Sequence, residues 1–244
     1  MRNLWIRRLT AVAGLVAAAW LAAGSAADDA LPPDLVKGMA ARDIAYLQKE
    51  LSKVPEKRAV PTLKATAMLL ALYAQDTGQG ALRDQALKVA GALAKKDYAG
   101  AKTAAAGLKL GAAGKVAPVK LHEMHNFDLA ELMSTYRNAT VGGRNVEKDI
   151  RKQGKAVTDT QLVGDIGARV VLVSHYALKM PAERATANAA NRKKWEGYSN
   201  ETQKLASEIA SAAAKGAGAD KAALAKKLKA LDASCTACHN EFRD

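Results

Sequence analysis

Along most of this chain apolar residues return every three or four positions, the repeat of a helix that buries one face, and no stretch alternates as a strand would. The pattern predicts helices over residues 35–53 and 59–76, with Pro61 near the start of the second, where a missing N–H is tolerated. Gly78 and Gly80 interrupt, and a third helix is expected over 81–96 and a fourth over 97–108, where Asp97 is a good N-cap. The stretch "KLGAAGKVAPV", residues 109–119, has no periodicity and reads as a linker. The second half repeats the count, with helices expected over 128–155, 158–179, 192–215 and 220–242. Gly142-Gly143 would weaken the first of these, each costing about 1 kcal/mol relative to alanine, which implies a bend, a break or a close backbone approach to something flat. Eight helices predict an all-α protein built as two tandem four-helix bundles.

Composition strengthens the class: alanine, leucine and lysine dominate, and aromatic residues make up only 5%, too few for a β-rich core. The stretch "ALKVAGALAKKDYAGAKTAAAGL" resembles "KLASEIASAAAKGAGADKAALAKKLKALDASC" in its helix-break-helix layout. A degenerate duplication would explain this, and so would the shared composition of alanine-rich helices.

Arg2, Arg7 and Arg8 precede an apolar run over 9–23, followed by the small residues Ser25, Ala26 and Ala27. This is the pattern of a secretory signal peptide, residues 1–27, cut before Asp28; the run is shorter than the roughly 20 residues of a spanning helix. Arg7-Arg8 lacks the fuller twin-arginine pattern, so the general secretory route is expected. The remainder divides into a helical domain over 28–108, the linker over 109–119 and a bundle over 120–244. Losing the leader removes three arginines and no acid, so the formal charge falls from +13 to +10. Such a balance can steer acidic partners or simply solvate the surface. No nucleic-acid partner and no further membrane span are expected.

The chemistry is concentrated at the end of the chain. Both cysteines lie in "SCTACHNEFRD", as Cys235-x-x-Cys238-His239. That spacing has three readings: a covalent c-type haem site, a thioredoxin-like redox pair, or half of a zinc site. Leu224, Leu228, Leu231, Cys235, Cys238 and Phe242 recur on one helical stripe. Two thiols three apart on that face can reach two vinyl groups on one edge of a porphyrin, and His239, four after Cys235, can turn its imidazole under the iron. A redox pair of the thioredoxin kind opens a helix after a strand, whereas this motif closes one. Zinc would need two further ligands, for which only His122, His125 and His175 are available.

"CTACHNEFR" resembles the end of the class II cytochromes c, which include cytochrome c prime and its low-spin relatives. Trp195, Tyr198 and "DKAALAKKLKALDASCTACHNEFR" extend the resemblance over residues 191–243; over 125–179 it is looser, and the first half shares it only through the suspected duplication. The resemblance implies a four-helix bundle with one haem c, and hence one iron, per chain. Cys235 and Cys238 would form the thioethers, His239 would be the proximal ligand, and Arg243 would match the family's basic residue near that haem face. Arg243 equally suits a helix C-terminus, where a cation is favoured.

The other face of the iron decides between functions, since methionine or histidine there favours electron transfer and an empty apolar face favours gaseous ligands. Leu129, Met133 and Tyr136 share a helical face, making Met133 the leading sixth-ligand candidate against the commoner role of methionine as core packing. Met124 is a second candidate, and His122 and His125 form an i, i+3 pair; His175 lies beside the inward stripe Val163, Ile166, Val170, Val173 and Ala177 of its helix and stays unassigned. The expected function is periplasmic one-electron transfer, not catalysis. The alternative is a five-coordinate haem that binds nitric oxide or carbon monoxide. Peroxide chemistry would require a distal acid-base group beside an open iron. Lys215, Lys221, Lys226, Lys227 and Lys229 would present positive charge to an acidic redox partner. Class II relatives often form homodimers through their helices, a contact that a tandem chain would satisfy internally.

Overall fold

Pro32 and Pro33 open the first helix, because proline in the first turn surrenders an N–H that has no partner there; α1 runs Pro33–Glu50. The computed structural model describes residues 31–123 and 129–243, without the side chain of His122. The segment read as a signal peptide lies outside the described residues, as do Met124 and His125. Every regular element among the described residues is helical. None of these helices is long and apolar enough to cross a membrane.

Helix α2, Val60–Asp76, is buried on every side from Thr62 to Ala74, as a helix apolar all round must be. Its one buried cation, Lys64, pairs with Glu131 at 2.6 Å. Helices α3, Gly80–Ala94, and α4, Tyr98–Ala106, complete the first core with α1. Asp97 caps α4 as expected, its carboxylate accepting from the Gly100 N–H at 2.8 Å.

The linker region is non-helical but tied down. Gly111 N–H donates to Gln79 Oε1 at 2.9 Å, Gly114 N–H to the Gly78 carbonyl at 2.8 Å, and Val119 N–H to Gln75 Oε1 at 2.7 Å. Arg83 holds the Ala117 carbonyl. These bonds lash the segment to the ends of α2 and α3.

The helix expected over 128–155 is broken. Helix α5 spans only Leu129–Met133, two short 3-10 turns follow, and α6 is confined to Val146–Lys155. Gly142 adopts φ +88°, and a Cβ there would stand 2.1 Å from the Arg58 carbonyl oxygen; Asn145 follows at φ +61°. Two residues in the left-handed region end any continuous helix. The turn lets the chain pass close under the start of α2.

Helix α7, Thr160–Lys179, the short α8, Glu183–Thr186, α9, Ala189–Ala213, and α10, Lys221–Phe242, follow. Asp159, Asn188 and Asp220 cap the three long ones. Helix α7 lies along α9 with its backbone very close: a Cβ on Gly167 would sit 2.7 Å from the Ala206 carbonyl oxygen.

Separate tandem bundles would have separate cores, yet α7 belongs to both. Val163, Ile166, Val170 and Val171 enter a second core with α6, α9 and α10. Ala168, Leu172, Val173 and Tyr176 enter the first. The expected stripe is thus divided: Val163, Ile166 and Val170 enter the second core, Val173 the first, and Ala177 a third, smaller cluster.

Candidate haem site

Leu224, Leu228 and Leu231 of α10 are wholly buried in the second core, and Cys235 packs against the same cluster. One turn on, Cys238 packs against a smaller cluster of Ala177, Ala185, Trp195 and Phe242. The stripe read from the sequence therefore spans two apolar patches, with the cysteines at their junction.

The end of α10 is clamped to the start of α9. Trp195 meets Phe242 edge-on at 5.4 Å between ring centroids, and Tyr198 does so at 6.2 Å. Trp195 Nε1–H donates to the Ala177 carbonyl at 3.1 Å, which fixes the indole against α7. Glu241 pairs with Lys194 and accepts from the Tyr198 hydroxyl at 3.3 Å, while Ser234 and Thr202 share a hydroxyl–hydroxyl bond at 3.1 Å. A motif on a helix end fixed at this many points keeps its side chains in register.

Both thiols are free and half-buried. Burial pushes Cys235 up to about 12, helped by Cys238, Asp232 and Glu147. Burial, then Glu241, pushes Cys238 up to about 11. Each is a neutral thiol at pH 7, the opposite of the lowered pKa that makes a thioredoxin-like pair reactive. His239 is exposed at the surface; partial desolvation against the helix end and then Arg243 lower its pKa, with Glu147 opposing. The neutral imidazole this favours is the form that ligates a metal. Among the described residues no three His, Cys, Asp or Glu side chains converge as a metal site.

Arg243 directly follows α10, exposed, its N–H donating to the His239 carbonyl at 3.0 Å. Glu147, in the first turn of α6, pairs with Arg151 at 2.6 Å, and Arg151 also reaches Asp232 at 3.3 Å, so α6 flanks the motif. Met133, the last residue of α5, packs against the first core and is not among the residues packed with Cys235 or Cys238. His175 lines a separate cleft of about 570 Å³ with Pro33, Tyr73 and Asp76, away from the motif.

Two features went unread in the sequence. Tyr136 packs against both cores, and its phenol feels the Cys235 thiol and the Arg169 guanidinium; burial, with Cys235 adding to it, pushes its pKa strongly up. Arg169 is 6% exposed, and its Nη1 has no hydrogen-bond partner. The available clue was a lone arginine in the apolar run "GARVVLV", since a charge in such a run must find a partner or a ligand.

The residues fit a covalently held haem: two neutral thiols on one half-exposed face, a neutral imidazole beside the second, and an unsatisfied buried guanidinium in electrostatic reach of the same tyrosine as the first. An all-α fold that ends in such a motif is the setting of helical haem-binding proteins, and the comparison with known families points the same way for part of the chain. Residues 169–243 match the cytochrome c′ family, which supports a class II cytochrome c carried by the C-terminal segment and, with it, haem binding. The match takes in most of α7, all of α8 and α9, and α10 with its motif. No curated protein and no solved structure matches the chain.

Proposed function

We propose that this chain is an exported, periplasmic c-type cytochrome that passes one electron at a time through a single haem bound to Cys235 and Cys238, with His239 as proximal ligand. The observation that carries it is the Cys-x-x-Cys-His motif set on a half-exposed face at the clamped end of α10. A haem held by Cys235, Cys238 and His239 on that half-exposed face would supply one-electron chemistry without bond making or breaking, with a potential set by axial ligation and burial.

An acidic partner is the expected docking surface. Lys215, Lys221, Lys226 and Lys229 are exposed, and Lys227 pairs with Glu208. Lys221 and Cys235 lie on one helix about 21 Å apart at its usual rise. The lysines would steer such a partner along α10, while Arg243 stands at the haem end.

Met133 is the proposed sixth ligand under this reading. One observation favours the alternative, a five-coordinate iron open to nitric oxide or carbon monoxide: Met39, Met68, Met133 and Met180, the methionines among the described residues, all lie in or against the first core. Optical and electron-paramagnetic-resonance spectra of the matured protein in both oxidation states, alongside Met133→Ala, separate the two. A low-spin ferric signal with methionine character, lost in the variant, supports electron transfer. A high-spin protein that binds carbon monoxide supports gas binding, and a matured protein without haem overturns both.

A further inference from the structure

The buried charges between α1 and α7 do not balance. Asp43 Oδ1 accepts from Arg169 Nη2 and from Arg144 Nη1, each at 2.6 Å. Arg144 also lies over the Tyr46 ring, 4.2 Å from its centroid. Asp165, the next carboxylate along α7, is taken by Arg42. Three guanidiniums thus share two carboxylates, leaving one positive charge in a largely buried cluster. Its free valence is also located: Arg169 Nη1 is the buried nitrogen of this cluster without a partner. A water molecule could occupy that N–H but could not offset the charge.

Tyr136 joins this cluster to the haem motif. It packs against the first core and, as Cys235 does, against the second, and its phenol interacts electrostatically with both Arg169 and Cys235. A ligand held at Cys235 and carrying an anion would therefore find a planar cation and a hydroxyl donor together. Arginine suits a carboxylate, which it can meet with two parallel N–H donors. The anions that a haem brings are its two propionate carboxylates.

We propose that Arg169 and Tyr136 form the seat of one haem propionate, and that Asp43 and Arg144 are positioning residues that hold the Arg169 guanidinium in place. This rests on the covalent haem reading above. It gives the haem-free first half a role, because α1 contributes the carboxylate that orients a haem-binding arginine on α7. Arg144 stands just before α6, so the broken segment enters the same seat.

The test uses the full-length matured protein with haem isotope-labelled at the propionate carboxyl carbons, read by redox-difference infrared spectroscopy across pH. One propionate is expected to stay ionised and insensitive to bulk pH while the other titrates. Arg169→Lys and Tyr136→Phe are expected to shift the bands of the protected propionate alone, and Arg169→Gln to lower the midpoint potential by removing a nearby positive charge. Two propionates that both titrate with solvent in the unsubstituted protein would overturn the proposal even if every variant failed to fold. Unchanged labelled bands in a folded Arg169→Gln variant would overturn it too. Haem staining on a denaturing gel separates the two levels: stained protein with solvated propionates defeats only this seat, whereas unstained protein defeats the haem reading beneath it.

Discussion

Asp43 on α1 and Arg169 on α7 meet at 2.6 Å across 126 positions of sequence, and both are almost wholly buried. Their contact, reinforced by Arg144, makes the two halves of the chain one electrostatic unit.

Removing Asp43 leaves two buried guanidiniums facing each other. Asp43→Ala is expected to lower stability by about 3–5 kcal/mol, the usual cost of orphaning a buried charge. Glu56→Ala breaks the exposed pair with Arg58, leaves the bond from Arg58 to the Thr140 carbonyl, and should cost about 0.5 kcal/mol or less. Urea unfolding of both variants checks the contrast; equal, small effects would mean that the buried cluster is well solvated.

The same carboxylate predicts a pH dependence. Burial alone would raise the pKa of Asp43, but Arg169 and Arg144 hold it below its ordinary 3.8. A depressed carboxylate contributes stability above its unfolded pKa and loses it as pH falls through the folded one. Stability should therefore fall in acid below about pH 4, and Asp43→Asn should flatten that part of the profile. A variant with the same acid slope as the parent would place the titrating group elsewhere.

Two glycines should respond oppositely to alanine. At Gly167 a Cβ would press on the Ala206 carbonyl, so Gly167→Ala is expected to force α7 and α9 apart at a cost of about 1–3 kcal/mol. Gly197, inside α9, has open space at that position, and Gly197→Ala should stabilise by about 0.4–1 kcal/mol through the unfolded chain. Thermal unfolding reads both signs.

Covalent attachment is tested by the thiols themselves. Cys235→Ala with Cys238→Ala, produced under haem-maturation conditions, is expected to lose haem staining on a denaturing gel while retaining its helical circular dichroism. Full staining of that variant would rule out thioether bonds at these positions.

Most helices, the cap at Asp97, and the Cys-x-x-Cys-His spacing were legible in the sequence because each is local: apolar period, cap and motif fall within a few turns. The helix expected over 128–155 breaks near Gly142-Gly143, where those glycines imply a bend, a break or a close backbone approach; what the sequence could not name is the neighbour, the Arg58 carbonyl, which is far away along the chain. Periodicity placed Met133 and Tyr136 on one face, but packing separated them, with Met133 against the first core and Tyr136 reaching the second as well. A single stripe was likewise expected of α7, and three apolar clusters divided it. Local spacing thus determined the all-α class and the place of the haem motif. Only the tertiary structure decided which charges share Asp43, that Tyr136 packs against the same core as Cys235, and that the first half supplies a carboxylate to an arginine of α7, because those depend on which of many similar helical faces come together.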